Sequence, residues 1–237
     1  MIDDALIEQI NRGYVCPPDA GPAWRAACEY GFDMSLVEDA LRMTPEQRYR
    51  EHQRALEMML TLREGAEHRP ADNNGLLVRL KDREVEFVII GGVCGMLHGV
   101  SLVTFDLDIC CRFSIENLRR IEAAVKDLNP YHRLVANKLP FELTDELASR
   151  LKNFYLQTDL GKLDCLSEVA GVGSYEAVLK RSILHKTDFG ESRILDIDAL
   201  IAAKEAVGRP RDLAAVKQLR AIKEKTDQKS PIGRRPA

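Results

Sequence analysis

Two aspartates separated by one residue, Asp106 and Asp108, are the side chains of this sequence with the clearest chemical potential. They lie in a run of apolar and β-branched residues that is typical of a strand. Because residues i and i+2 of a strand share a face, both carboxylates point the same way, while Leu107 and Ile109 face the core. Neighbouring carboxylates raise the cost of ionising each other, and their oxygens suit Mg²⁺ or Mn²⁺. The pattern is short, and a solvated strand end would look the same.

A glycine pair stands upstream of these acids. Gly91 and Gly92 follow the apolar run 87–90, which predicts a short strand covered on both faces. Glycines permit a sharp turn and the close approach of another group to the backbone. Residues 93–98 have the composition of a short helix, whose first N–H groups would face the turn and favour an anion there. The stretch 86–113 therefore predicts a strand, a glycine turn, a helix and an acid-bearing strand.

A third acid, Asp164, lies in the apolar run 162–166. A carboxylate in the middle of a buried strand is costly unless it has a partner or a metal, although an exposed strand position would also accommodate it. The turn at 159–161 predicts a hairpin with a strand at 154–157. If the strand of Asp164 lies beside that of Asp106, the three carboxylates meet.

The bulk composition limits the classes of protein to consider. The chain has 237 residues, of which 45% are hydrophobic and 30% charged, with a net charge of −3. It is long enough to bury a substantial core, and its net charge argues against general coating of nucleic acid. The absence of a long apolar run and the acidic start predict a cytoplasmic protein without a membrane partner. The six cysteines form no C-x-x-C pair and are expected to be reduced and mostly buried.

The motif series resembles the signature of the nucleotidyltransferase fold of the DNA polymerase beta superfamily. More narrowly, it resembles bacterial nucleotidyltransferases related to the AbiEii abortive-infection toxins. The matching residues keep the order of that signature: Gly91-Gly92, His98-Gly99, Thr104, Asp106, Asp108 and Asp164. The resemblance implies an α+β (α/β) fold, with a small mixed β-sheet core flanked by N-terminal and C-terminal helices. Two positions depart from the family, since Leu102 stands where Arg is frequent and Val93 where Ser or Ala is frequent.

The resemblance also implies roles for individual residues. The three aspartates would be both catalytic residues and ligands of Mg²⁺ or Mn²⁺, with an NTP as the substrate. Four residues would bind the nucleotide: Gly91, Gly92, Thr104 and Lys204. His98 is expected to be a packing residue on the small helix.

The C-terminal segment resembles the helical pair of the same family, in which a Lys and then R-x-x-D recur. In this sequence these residues are Lys204, Arg209 and Asp212. Lys204 would neutralise phosphate charge. Arg209 and Asp212 are expected to form an ion pair that braces the turn between two helices.

Composition and turn signals divide the chain into four parts. Residues 1–70 form a predicted N-terminal helical extension, 75–168 the nucleotidyltransferase core, 169–225 a C-terminal helical region and 226–237 a disordered tail. Within them we expect a helix at 1–12, a helix at 45–64 capped by Thr44 whose arginines face solvent, a polar linker at 65–74 and a strand at 132–138.

Three functions remain open at this point. The first is metal-dependent transfer of a nucleoside monophosphate from an NTP to a hydroxyl of tRNA, a protein or a small molecule. In that case the protein would be a toxin of a toxin–antitoxin or phage-defence system, with an antitoxin as partner. The second is a catalytically inactive nucleotide sensor of the same fold, which Leu102 and Val93 favour. The third is a helical interaction protein in which residues 1–70 act and the paired aspartates are incidental.

Overall fold

The computed structural model describes residues 14–64, 72–187 and 190–229. The predicted helix at 1–12, most of the predicted linker and residues 230–237 lie outside the described residues.

Helices occupy both ends of the described chain and separate several of its strands. Their bounds, in chain order, are α1 (Pro22–Glu29), α2 (Met34–Arg42), α3 (Pro45–Glu64), α4 (Asn73–Asp82), α5 (Gly91–His98), α6 (Ile115–Val125), α7 (Asp145–Arg150), α8 (Tyr175–Lys180), α9 (Ile197–Val207) and α10 (Pro210–Lys229).

Seven strands form one mixed sheet in the order β3-β4-β5-β2-β1-β9-β8, and two short strands form a separate ribbon. The strands of the large sheet are β1 (Phe87–Ile89), β2 (Asp106–Cys111), β3 (Tyr131–His132), β4 (Asn153–Thr158), β5 (Gly161–Leu166), β8 (Ser182–Thr187) and β9 (Gly190–Leu195). The ribbon pairs β6 (Glu168–Val169) with β7 (Gly173–Ser174). The pairs β2–β5 and β1–β9 are parallel, and the other pairs are antiparallel. The predicted α+β class with a mixed sheet is confirmed.

The core explains why these segments form strands and helices. The central strands bury residues on both faces, as the adjacent residues Val88 and Ile89 of β1 show, and α5 packs against β2. Local capping sets two of the helix starts, including the one at Thr44, which was predicted. Thr44 and Gln47 exchange side-chain-to-backbone hydrogen bonds before α3, and Ser114 accepts from the Asn117 N–H before α6.

The described part of the N-terminal extension packs against the C-terminal region. Helix α1 lies on α10, where the Ala23 N–H donates to Glu224 Oε2 at 2.6 Å. The Lys225 ammonium lies 4.0 Å from the centre of the Trp24 ring. Helix α3 also reaches α5, because the Arg48 guanidinium donates to the Leu97 carbonyl. Arg48 is therefore a bridging residue, and the expectation of a solvated arginine face on α3 was wrong for it.

Several local predictions were wrong. The segment 132–138 is not a strand: β3 ends at His132, and a turn and a short 3-10 helix at Ala136–Lys138 follow, in which Asn137 and Lys138 have the positive φ angles that a strand excludes. The hairpin of β8 and β9 was missed, because β8 exposes the apolar residues Ile183 and Leu184 and β9 buries Ser192, so the usual alternation of buried apolar and exposed polar residues is absent. Helix α4 begins at Asn73, within the predicted linker, and α10 continues to Lys229, beyond the predicted start of the tail at residue 226.

None of the described helices has the length and apolar character needed to cross a membrane. All six cysteines are free thiols; four of them, Cys94, Cys110, Cys111 and Cys165, are buried, and Cys16 and Cys28 are partly buried.

Candidate active site

Three carboxylates meet on one face of the sheet. Asp106 and Asp108 come from β2, Asp164 comes from β5, and one ligand oxygen of each lies within 4.8 Å of the others. The parallel register of the two strands places Asp108 directly opposite Asp164. Asp164 is buried, whereas Asp106 and Asp108 are partly exposed. The strand of Asp164 thus lies beside that of Asp106, which is the condition under which the sequence places the three carboxylates together, and the shared face follows from the two-residue period of a strand.

The glycine turn lies directly against this cluster. Gly91 has a φ of +63°, and a Cβ there would lie 2.0 Å from Asp108 Oδ2. A Cβ at Gly92 would lie 2.3 Å from the Thr104 hydroxyl oxygen. The Gly92 N–H, in the first turn of α5, donates to Asp108 Oδ2 at 3.4 Å. Only glycine permits this approach of the turn to the acids.

Thr104 connects the acids to the N-terminal helices. Its hydroxyl donates to Asp106 Oδ1 at 2.9 Å, and its N–H donates to His52 Nε2 at 3.0 Å. His52 lies on α3 and is buried, and burial lowers its pKa to about 4. The imidazole is therefore neutral with Nε2 as acceptor, and it holds the loop that positions Asp106.

The acids perturb one another strongly. Burial, together with the charges of Asp106 and Asp164, raises the pKa of Asp108 to about 7, against the opposing hydrogen bond from Gly92. Burial also raises the pKa of Asp164, and the Arg133 guanidinium opposes that shift. Such mutual perturbation in a cleft is typical of a functional site.

Arg133 pairs with the third acid. Its Nη2 lies 2.6 Å from Asp164 Oδ1 and also contacts Oδ2, and its guanidinium carbon lies 5.5 Å from the centre of the Tyr155 ring. The Arg133 N–H donates to the Tyr155 carbonyl, which fixes the start of the loop beside β4.

Cations from α9 and α10 form the opposite wall. Lys204 Nζ lies 3.5 Å from Asp212 Oδ1, and both side chains are largely buried. Arg209 Nε donates to Asp212 Oδ2 at 2.6 Å. This hydrogen bond is the main cause of the raised pKa of Arg209, to which the charges of Asp108 and Asp106 also contribute. Arg211 donates to the Val103 carbonyl at 2.8 Å. The predicted pairing of Arg209 with Asp212 is present, and the same carboxylate also orients Lys204.

These groups line a single cleft of about 1060 Å³. It contains all seven residues that the sequence assigned to catalysis or nucleotide binding: Gly91, Gly92, Thr104, Asp106, Asp108, Asp164 and Lys204. His98 lies outside the lining, is largely buried, and has its Nε2 2.9 Å from the Leu195 carbonyl oxygen.

The donor set fits a hard divalent cation. Three carboxylates provide oxygen ligands within a small radius, as Mg²⁺ and Mn²⁺ prefer. The raised pKa of Asp108 reports uncompensated negative charge, which a cation would relieve. We therefore infer that Asp106, Asp108 and Asp164 would hold the metal.

Sequence reasoning missed His52, Arg133 and Arg211. His52 acts 52 residues from Thr104 along the chain, and Arg133 acts 31 residues from Asp164. Neither has a local pattern that would reveal its partner. Arg211 lies within the R-x-x-D segment that was examined, but only the packing of α10 brings it to the Val103 carbonyl.

No protein-family model matches the sequence, and no curated protein matches it. The solved structures that are similar to part of the chain include the following two. One is a protein assigned as a nucleotidyltransferase from Thermotoga maritima, with 17% identity and a TM-score of 0.38, covering 65% of this chain and 90% of that one. The other is ANT(2")-Ia in complex with adenylyl-2"-tobramycin, with 19% identity and a TM-score of 0.41, covering 66% of this chain and 88% of that one.

Proposed function

We propose that this protein is a metal-dependent nucleotidyltransferase that transfers a nucleoside monophosphate from an NTP to a hydroxyl acceptor. One observation carries the proposal. The three carboxylates, the glycine turn and the cations of α9 and α10 line the same cleft. Such a cleft has one wall for a metal and another for a polyphosphate.

The reaction would be an in-line displacement. The acceptor oxygen attacks the α-phosphorus, the bond from that phosphorus to the bridging oxygen breaks, and pyrophosphate leaves with the bonding electrons. The acceptor hydroxyl gives its proton to Asp164 or to water in the same process. A divalent cation bound by the three carboxylates would lower the pKa of the acceptor hydroxyl and stabilise charge on the phosphate oxygens.

The residues of the cleft would hold the reactants in place. Thr104 and the Gly92 N–H fix one oxygen each of Asp106 and Asp108, so that the other oxygens stay aimed at the cleft. Lys204 would neutralise the triphosphate, since Asp212 anchors its ammonium on the cleft wall. The turn at Gly91 would admit phosphate oxygens close to the backbone.

Arg211 lies near Leu102, the position at which this sequence has no arginine although the resembled family often does. Both residues line a small cavity behind Gly92, with Lys204 also on its wall. The resembled family often carries an arginine at the position of Leu102, and here α10 supplies a guanidinium beside that position. We therefore assign Arg211 a share of the triphosphate charge, which favours an active transferase over an inactive sensor.

A toxin role and an antitoxin partner rest on the sequence resemblance, which does not select the acceptor or the base of the NTP. The cleft supports a hydroxyl acceptor on the side of Asp164, where Arg133, Tyr155 and Asn153 form the lining. The hydroxyl acceptors to be assayed are tRNA, protein side chains and small molecules.

The proposal is tested by thermal unfolding of the full chain with each NTP, in the presence of Mg²⁺ or of EDTA. A ligand at about one hundred times its Kd adds roughly 2.7 kcal/mol to the free energy of unfolding. We expect stabilisation that requires both metal and NTP and that Asp106→Asn with Asp108→Asn removes. The exposed acid Asp145, on α7, provides the matched control Asp145→Asn.

The outcomes separate the three functions. Release of pyrophosphate with an acceptor present establishes the transferase. Metal-dependent NTP binding without turnover over the acceptor panel would support the sensor. The absence of any shift with metal and NTP would refute the proposal and favour an interaction protein.

A further inference from the structure

The three carboxylates differ in how much of their ligand capacity is in use. Asp106 and Asp108 each accept one hydrogen bond within the cluster, on Oδ1 and Oδ2 respectively. None of the described residues donates to their second oxygens. Both oxygens of Asp164, in contrast, accept from Arg133. The first two acids are therefore open to a cation, whereas the third already holds one.

We infer that Arg133 is a displaceable occupant of the metal position next to Asp164. The inference rests on the proposed function. It predicts that one ion binds at Asp106 and Asp108 with Arg133 in place. A second ion, which needs an oxygen of Asp164, binds only when the guanidinium leaves.

The contacts of Arg133 suit a group that is held but can be released. Within the described part of the chain its guanidinium donates only to Asp164, and its Nε is buried without a hydrogen-bond partner. The exposed fractions are 24% for the Arg133 side chain and 8% for that of Asp164. The arginine therefore approaches from the solvent side of a buried acid. Its other contact is the face of Tyr155, which does not restrict it to one geometry.

The same charge that protects Asp164 competes with the second ion. A buried carboxylate without a partner is costly, so the metal-free protein gains from the pair. If Arg133 occupies Asp164 in about nine tenths of the metal-free molecules, the apparent affinity for the second ion is reduced about tenfold. Arg133 thus determines the metal concentration at which the second ion binds.

Arg112 offers a closely matched control. Its guanidinium bonds to Glu86 and Glu176 and lies 5.0 Å from the centre of the Tyr175 ring. It shares with Arg133 the pairing with acids and the contact with a tyrosine face, and it does not line the cleft. Arg112→Gln therefore removes an equivalent ion pair without changing the charge of the site.

The experiment is a titration of the EDTA-stripped full chain with Mn²⁺ alone, with free Mn²⁺ followed by electron paramagnetic resonance. We expect two binding steps of different affinity in the wild type. Arg133→Gln should tighten the weaker step about tenfold and leave the tighter step within about twofold, as Arg112→Gln should leave both. An unchanged or weakened second step in Arg133→Gln overturns the inference.

A second readout separates competition from a structural role. Arg133→Gln should lower the melting temperature in EDTA, because Asp164 loses its partner, and saturating Mn²⁺ should restore it. An equal loss with and without Mn²⁺ would mean that Arg133 only supports the fold, and would overturn the inference. Arg133→Lys retains the charge but loses the forked geometry of the guanidinium, so it should tighten the second step by less than Arg133→Gln does. If Arg133→Gln does not fold, Arg133→Lys serves in its place, and an unchanged second step in that variant overturns the inference.

Failure of the proposed function gives a different result. If neither the wild type nor the variant binds Mn²⁺, the metal site itself is refuted together with the inference. If the wild type binds two ions with affinities that Arg133→Gln does not alter, the metal site stands and only the role of Arg133 falls.

Discussion

Asp108 and Asp164 are direct partners in the parallel pairing of β2 and β5. Burial is the main cost of ionising Asp108, and the charges of Asp106 and Asp164 add to that cost by repulsion. The pKa of Asp108 is accordingly raised to about 7. In the metal-free protein, the repulsion among these carboxylates therefore lowers the free energy of unfolding, and a bound cation would reduce that cost.

The first prediction concerns the stability of the metal-free protein. The folded pKa of Asp108 is about 7, above the unfolded value of about 3.9. At pH values between these two, the folded state binds one more proton at Asp108 than the unfolded state does. The free energy of unfolding therefore decreases as the pH rises from about 4 to about 7. Asp108→Asn removes this decrease and should raise the free energy of unfolding near pH 8 by roughly 2 kcal/mol. This is about half of the value that the full pKa difference would give, because Asp108 is partly exposed.

The measurement is urea unfolding in EDTA at several pH values. The difference between variant and wild type should shrink toward zero as the pH falls to about 4. Asp145→Asn, at an exposed acid, should show no comparable pH dependence. A stabilisation of Asp108→Asn that is constant across this range would contradict the prediction.

The second prediction is that metal binding strengthens with pH. A cation requires the ionised form of Asp108, which becomes dominant only above its pKa of about 7. The rise in melting temperature caused by a fixed concentration of Mn²⁺ should therefore be larger near pH 8 than near pH 6. An equal rise at both pH values would show that Asp108 is not a ligand.

The parts of the site that the sequence predicted are those with local signals. The Asp106-Leu107-Asp108 period sets a shared face, and the Gly91-Gly92 pair marks the turn that touches Asp108 and Thr104. The hairpin that carries Asp164 was predicted because a two-residue turn joins β5 to β4. The pairing of the other edge of β5 with β2 has no local signal and could be stated only as a condition.

The parts that sequence reasoning missed depend on packing between distant segments. His52 contributes through the docking of α3 on α5, and Arg133 through a loop beside β4. A single histidine or arginine forms no periodic pattern from which its hydrogen-bonding partner could be predicted. The strands β8 and β9 were missed for a related reason, since only one edge of their hairpin joins the sheet, at Ile194 opposite Ile89.

The third prediction tests the link from the N-terminal helices to the site. His52→Phe leaves the buried Thr104 N–H without its acceptor and should cost about 1 to 3 kcal/mol of stability, together with weaker metal-dependent NTP binding. His52→Gln retains an acceptor oxygen and should keep most of both.

The same histidine gives a pH signature. Its folded pKa of about 4 lies below the unfolded value of about 6.5. Its contribution to stability is therefore complete above about 6.5 and is lost as the pH falls toward 4. Urea unfolding of His52→Gln should show less loss of stability over this window than the wild type. An identical acid dependence would refute the role of a buried neutral imidazole.

The fourth prediction compares two glycines with positive φ. Gly91→Ala places a Cβ 2.0 Å from Asp108 Oδ2, whereas Gly31, with φ of +95°, has no atom within 4 Å of the added Cβ. Both variants should lose about 1 kcal/mol from backbone strain. Only Gly91→Ala should also lose the Mn²⁺-induced rise in melting temperature. Loss of that rise in Gly31→Ala as well would show that strain alone is responsible.

The fifth prediction separates the nucleotide wall from the metal wall. Lys204→Gln removes the ammonium that Asp212 holds on the cleft, so binding of NTP in the presence of Mg²⁺ should weaken about tenfold to a hundredfold. Mn²⁺ alone should bind at least as tightly as in the wild type, because a competing positive charge is gone. The control is Lys217→Gln, at a lysine whose Nζ lies 4.9 Å from the centre of the Tyr30 ring and which does not line the cleft. Equal weakening of NTP and Mn²⁺ binding in Lys204→Gln would mean that Lys204 supports the fold of the cleft and has no separate role at the triphosphate.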